Sequence, residues 1–195
     1  MTTDNQNIYQ SHFSFSLNFF QLVENVLLEM IKHNNIDLYV GKPREDIKEH
    51  YRQITKWSDF RVFVPILFNF FHGIELLLKG ANYKIGLPTK NPNHNLADNY
   101  KQFIENYPNA IIITAIFKKY IFPTTKTCKI LSDFYDLNNI PNSSKFFEIF
   151  KYPTDKNFQI SFNYKDLRNL GELGLDFFNQ IIKDIETLRI ESEKL

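Results

Sequence analysis

From Phe60 to Leu78 the apolar residues Phe60, Val64, Leu67, Phe71, Ile74 and Leu78 recur at steps of 4, 3, 4, 3 and 4. That spacing stays on one side of an α-helix for about five turns, and it does not fit the period of two that a half-buried strand requires. The chain must therefore cover a long apolar helical stripe with other elements. Ser58 or Asp59 is placed to cap this helix, and Gly80 to end it. Pro65 lies inside the pattern and predicts either a kink or a start near Val64.

A second stripe, Phe13, Leu17, Phe20, Val23, Leu27 and Met30, predicts a helix over about 13–31 that stops near His33-Asn34-Asn35. Gly41-Lys42-Pro43 reads as a turn leading into a short charged helix from Arg44 to Lys56. Residues 82–93 read as a loop, with Asn93 capping a helix over 94–106. The β-branched run 109–122 suits a strand by propensity, yet Ile112, Ile116, Lys119 and Tyr120 fit a helical face, and helix is the choice made. Residues 124–138 read as helix and 140–162 as an irregular, Phe-rich connection. A last long helix spans about 164–193, where Gly171 and Gly174 would admit another backbone. The expected fold is all-α: one domain over 1–195, a mostly antiparallel bundle of four to five long helices plus short ones. Within it, 1–57 form an N-terminal helix and a charged helix, and 58–195 the core.

Composition excludes several chemistries. Six glycines in 195 residues leave little room for Gly-rich phosphate loops, and the single cysteine, Cys128, makes neither an internal disulfide nor a Cys-based zinc site. Five histidines with no HxH or HExxH spacing predict no metal, and no cofactor is expected. The longest apolar run, Val62 to Phe71, is interrupted by Pro65 and Asn69 and falls short of the roughly 20 residues that cross a bilayer. The opening decapeptide lacks the basic residue of a signal peptide, so a reducing, cytoplasmic location with no membrane span is expected. Net charge is +1, unevenly spread: residues 79–130 hold 8 basic and 2 acidic side chains. This block, Lys79, Lys84, Lys90, Lys101, Lys118, Lys119, Lys126 and Lys129, either attracts phosphate or forms an ordinary solvated face.

On the central helix the polar residues Arg61, His72, Glu75 and Lys79 fall on one stripe, within roughly 60° at about 100° per residue. Glu75 and Lys79 at i, i+4 also describe an ordinary surface pair worth a few tenths of a kcal/mol. His94 sits at a predicted helix N-terminus, where free N–H groups favour anions. Arg44 and His50 together have the functional groups of a metal-independent RNase, an imidazole for proton transfer and a guanidinium for the phosphorane charge.

Phe71-His72-Gly73-Ile74-Glu75-Leu76-Leu77-Leu78-Lys79-Gly80, followed after a loop by His94-Asn95-Leu96, resembles the ELxLK … HxL pattern of bacterial HEPN domains. Phe150-Lys151-Tyr152-Pro153 is similar to the F-R-Y-P segment before the closing helix in many of them, with Lys151 in place of Arg. The resemblance covers about residues 60–195. It implies a helical bundle, a homodimer, and a cleft for RNA or nucleotide phosphate in which His72, Glu75, Lys79, His94, Lys151 and Tyr152 bind the ligand. It further implies a setting in phage defence or a toxin–antitoxin system, with an antitoxin or defence protein as partner. Catalytic members carry Arg, four to six residues, then His near the closing helices, and no His follows His94 here. Binding without catalysis is therefore expected. The alternatives are an RNase toxin using Arg44 and His50, and a protein-interaction module that docks a partner through 140–162.

Overall fold

Asn34 and Asn35 end the first helix by adopting left-handed backbone, φ 53° and 49°, which asparagine tolerates better than most residues. The computed structural model describes residues 3–37, 47–86 and 94–195, and throughout them the fold is all-α. The helices are α1 (Thr3–Lys32), α2 (Ile47–Thr55), α3 (Asp59–Lys84), α4 (Leu96–Asn106), α5 (Ile111–Ile121), α6 (Lys129–Leu137), the single turn α7 (Phe146–Ile149) and α8 (Gly171–Ser192). Three of these are long, with 30, 26 and 22 residues, where four to five were expected. Pro108 and Pro123 interrupt the chain between α4, α5 and α6 and keep those helices short.

α1 and α3 pack along each other and run antiparallel: Asn35 meets Asp59, Ser16 donates to the Gly73 carbonyl at 2.8 Å, and His12 lies against Tyr83. α8 starts where α3 starts and runs parallel to it, with Phe177 and Phe178 on Phe63, while Arg189 near its far end reaches Glu24 of α1. The bundle is thus antiparallel for α1 against both partners and parallel for α3 with α8. Its core is largely aromatic: Phe20, Phe63, Phe70, Phe71, Phe103, Phe117, Phe134, Phe146 and Phe178 are fully buried. Each such ring contributes roughly 1.5–3 kcal/mol of burial.

The stripes are displaced in places. α3 buries Phe63, Leu67, Phe70, Phe71, Ile74, Leu77 and Leu78, whereas Phe60 is 53 % exposed. α5 is a helix, but its core face is Ile113, Ile116, Phe117 and Tyr120, with Ile112 outside. α1 begins about ten residues before its apolar stripe does.

Other predicted helix boundaries are corrected: the helix expected from 124 begins at Lys129, and α4 is capped by Asn95, Asn93 lying outside the described residues. α3 does not end at Gly80 but continues through Asn82 to Lys84. Gly80 serves packing instead, since a Cβ there would stand 3.2 Å from His12 Cβ of α1. α8 does not begin at 164 but at Gly171, because Asn169 and Gly171 take left-handed backbone, φ 57° and 55°. Asp59 enforces that break. Its carboxylate, wholly buried, accepts from Asn169 N at 2.9 Å, Leu170 N at 2.7 Å and Asn35 Nδ2 at 2.8 Å. Asn35 Oδ1 in turn accepts from Asp59 N at 2.7 Å, so α3 is capped by the end of α1. Ser58 holds the N-cap position without a side-chain cap bond. α3 runs through Pro65, which is exposed, so water can reach the Arg61 carbonyl that has lost its partner.

The stretch Lys48–Lys84 includes an 18-residue window apolar enough to cross a membrane by length and composition, although Val62–Phe71 alone is too short. Of that window, 56 % is buried inside the protein.

Candidate functional site

His72, Glu75 and Lys79 stand at i, i+3 and i+7 on α3, so the carboxylate has one partner a turn before it and another a turn after. They do not form a surface pair. The Glu75 side chain is 1 % exposed, and it meets Lys79 Nζ at 2.5 Å and His72 Nδ1 at 3.2 Å. The third partner comes from the residue just before the α4 cap: His94 Nδ1 lies 3.1 and 3.2 Å from the two carboxylate oxygens. Asn95 fixes that approach by capping α4, its side chain accepting from Ala97 N and Asp98 N.

Burial pushes the Glu75 carboxyl up, but hydrogen bonds from His72, Lys79 and His94, with the Lys79 charge, outweigh it and bring it down to about 2. Glu75 is therefore a fixed anion at neutral pH. It engages both imidazoles through Nδ1. His94, 44 % exposed, is the outward member.

Phe147 links this cluster to the second predicted segment. The His94 ring stacks on Phe147 at 3.9 Å between centroids and 11° between planes, and Phe68, beside His72, also meets Phe147. Lys151 Nζ stands 4.5 Å from the Phe147 centroid and 5.2 Å from that of Tyr152. Tyr164 holds the turn in place, donating to the carbonyls of Ile149 at 2.6 Å and Tyr152 at 2.9 Å. Tyr152 itself is 47 % exposed. Beside His94 and Phe147 lies a cavity of about 300 Å³ whose rim carries Lys145, Glu148 and Lys156.

The structure thus brings His72, Glu75, Lys79 and His94 into one cluster, joins Lys151 to it through Phe147, and sets Tyr152 beside Lys151. Arg61, expected on the same stripe, is used elsewhere: its Nε donates to Thr55 Oγ1 at 2.9 Å and its guanidinium lies over Tyr51. Arg44 lies outside the described residues. His50 is on α2, and the described partners of Glu75 do not include it. Phe147, Lys145 and Lys156 were missed by sequence reasoning. The one available signal was Phe147 four residues before Lys151, a helical i, i+4 spacing inside an apparently irregular segment.

Half of the Lys-rich block is already engaged within the protein. Lys79, Lys119 and Lys129 are paired with Glu75, Asp184 and Asp133, and Lys84 lies over the Tyr9 ring. Lys101, Lys118 and Lys126 are exposed, and Lys90 lies outside the described residues. Burial pushes the Cys128 thiol up to about 11, so it is protonated at neutral pH and a poor nucleophile. Among the described residues no group of three His, Cys, Asp or Glu is placed to hold a metal ion. Comparison with family models, curated proteins and solved structures gives no match to this chain.

Proposed function

We propose that this chain is a HEPN-like, cytoplasmic protein that binds RNA or a nucleotide as a homodimer, in a phage-defence or toxin–antitoxin setting, without catalysis by the usual Arg/His pair. The observation that carries this reading is the half-exposed pair Lys151 and Tyr152 mounted, through Phe147 and His94, on the buried Glu75 anion. An exposed ring beside a cation is the arrangement that stacks a base and neutralises its phosphate. Lys145 and Lys156 on the cavity rim extend the cationic surface. The buried cluster makes the platform rigid, so little ordering remains to be done on binding.

The test is binding of fluorescent single-stranded RNA, and separately of a nucleotide, over a salt series in EDTA. Three lysines on phosphate give a log–log salt slope near −2, at roughly −0.7 per contact. Lys151→Ala should flatten it by about one contact. Tyr152→Ala should weaken binding by about 1–3 kcal/mol with the slope unchanged. Cleavage of the RNA that is lost in His50→Ala would replace this reading with the RNase one. No binding of either ligand would refute it and leave the protein-interaction module.

A further inference from the structure

Arg168 lies between a single 3-10 turn, Lys165–Leu167, and the start of α8. Its backbone is held on both sides: Arg168 N donates to Lys165 O at 3.2 Å, and the next two amides donate to the buried Asp59 carboxylate. The guanidinium carbon stands 4.7 Å from the centroid of Phe60 and 5.7 Å from that of Tyr164. Two rings thus grip the cation, and one of them is the Phe60 side chain that α3 leaves at the surface. Among the described residues no carboxylate pairs with this guanidinium, and its Nε is buried without an acceptor.

A guanidinium held against two rings with no carboxylate on it is left as an uncompensated cation, which an oxyanion in the adjoining cavity would neutralise. Arg168, Lys165 and Asn169 line two neighbouring cavities. One, of about 520 Å³, also holds Lys129, Asp133, Asp166 and Asp176, so its charges largely cancel. The other, of about 550 Å³, adds Phe60, Phe162, Asn163 and Tyr164 and has no acidic side chain on its wall. Its chemistry is two cations, amides and three rings.

We propose that the cavity between Phe60, Phe162, Tyr164 and Arg168 binds a small aromatic anion, its oxyanion head on the Arg168 guanidinium and Lys165 and its ring on the aromatic wall. The planar fork of guanidinium donors meets two oxygens of a phosphate ester or of a carboxylate equally well. The head group is therefore specified as an oxyanion, and the experiment separates the two sources. Tyr164 borders both this cavity and the turn that carries Tyr152, but neither Lys151 nor Tyr152 lines the cavity, so the two sites are tested by different variants.

The test is calorimetric titration of the full chain with phenyl phosphate, benzoate, inorganic phosphate and phenol. Saturable binding of phenyl phosphate, benzoate or both is expected, with the stronger of the two naming the head group. Phenol, which lacks the anion, and inorganic phosphate, which lacks the ring, should each bind at least about tenfold more weakly. Arg168→Gln should weaken the bound anion by tenfold or more, and Arg168→Lys by less, because it keeps charge and loses the fork. Should Arg168→Gln fail to fold, the Arg168 Nε–H resonance of the unaltered protein carries the test and must shift as phenyl phosphate or benzoate is added. No binding of either aromatic anion at millimolar concentration, binding unchanged in Arg168→Gln, or an unmoved Nε–H resonance would each overturn the proposal.

Discussion

Glu75→Gln keeps the shape of the side chain and removes its charge, so it isolates the electrostatic part of the cluster. The folded-state carboxyl titrates at about 2 against an ordinary 4.5, and at about 1.4 kcal/mol per pH unit the gap is worth roughly 3 kcal/mol. Because the folded value is depressed, that contribution is complete above about pH 4.5 and is lost as pH falls toward 2. Glu75→Gln lacks it at every pH. Removing one member of a fully buried ion pair costs about 3–5 kcal/mol. Here Lys79, His72 and His94 keep 14 %, 24 % and 44 % exposure, so water relieves part of the loss and the lower end applies. Urea titrations at pH 7 should therefore place the variant about 3 kcal/mol below the parent, or roughly 6–12 °C lower in Tm for a domain of this size. Repeated in steps down to pH 3, the difference should shrink once pH passes below about 4.5. A loss under about 1 kcal/mol at pH 7, or a difference that stays constant down to pH 3, would refute the assignment of Glu75 as a fixed anion.

Asp59→Ala strands the amides of Asn169 and Leu170 and the Asn35 carboxamide, and should cost about 3–5 kcal/mol. Equilibrium unfolding measures the loss, and hydrogen exchange at the Asn169 and Leu170 amides should accelerate together; unchanged exchange there would sink the clamp. Gly73→Ala would place a Cβ 2.7 Å from Phe20 Cε1, so α1 and α3 must separate or Phe20 must leave its rotamer. Overpacking of about 1–3 kcal/mol then outweighs the gain of about 1 kcal/mol in helix propensity, and a more stable Gly73→Ala in thermal unfolding would show that the contact is slack.

The parts of the fold that were legible are those decided by local period. Phe20, Val23, Leu27 and Met30 on α1, and Leu67, Phe71, Ile74 and Leu78 on α3, were all assigned to the core and all are buried. What could not be read depends on contacts between distant residues. Gly80 carries an end signal by propensity, yet it is needed where α1 crosses α3. The start of α8 is set by Asp59, about 110 positions earlier, which no local pattern encodes. The candidate site divides in the same way. His72, Glu75 and Lys79 share a helix edge by arithmetic, but the third donor that helps hold Glu75 ionised, His94, comes from outside α3 and is stacked on Phe147.

The stretch that contains α3 is apolar enough to pass for a membrane helix, and the protein covers about half of it, with α1, α4 and α7 packed on α3 and the α8 rings Phe177 and Phe178 on Phe63. On such a helix a buried carboxylate is an expensive choice. Desolvation works against Glu75, and only three donors reverse it. A well-packed apolar set at these four positions would stabilise the fold as well or better, since buried ion pairs rarely outperform hydrophobic replacements. Under the proposed function, the cluster serves orientation rather than stability. It holds His94, which stacks on Phe147, and Lys151 spans from the Phe147 ring to the Tyr152 ring at the surface. Measuring Glu75→Gln for both unfolding and RNA affinity separates the two roles. At temperatures where the variant remains folded, a purely structural cluster leaves binding intact. An orienting one loses affinity in the native ensemble, through a platform whose ring and cation no longer stand in register.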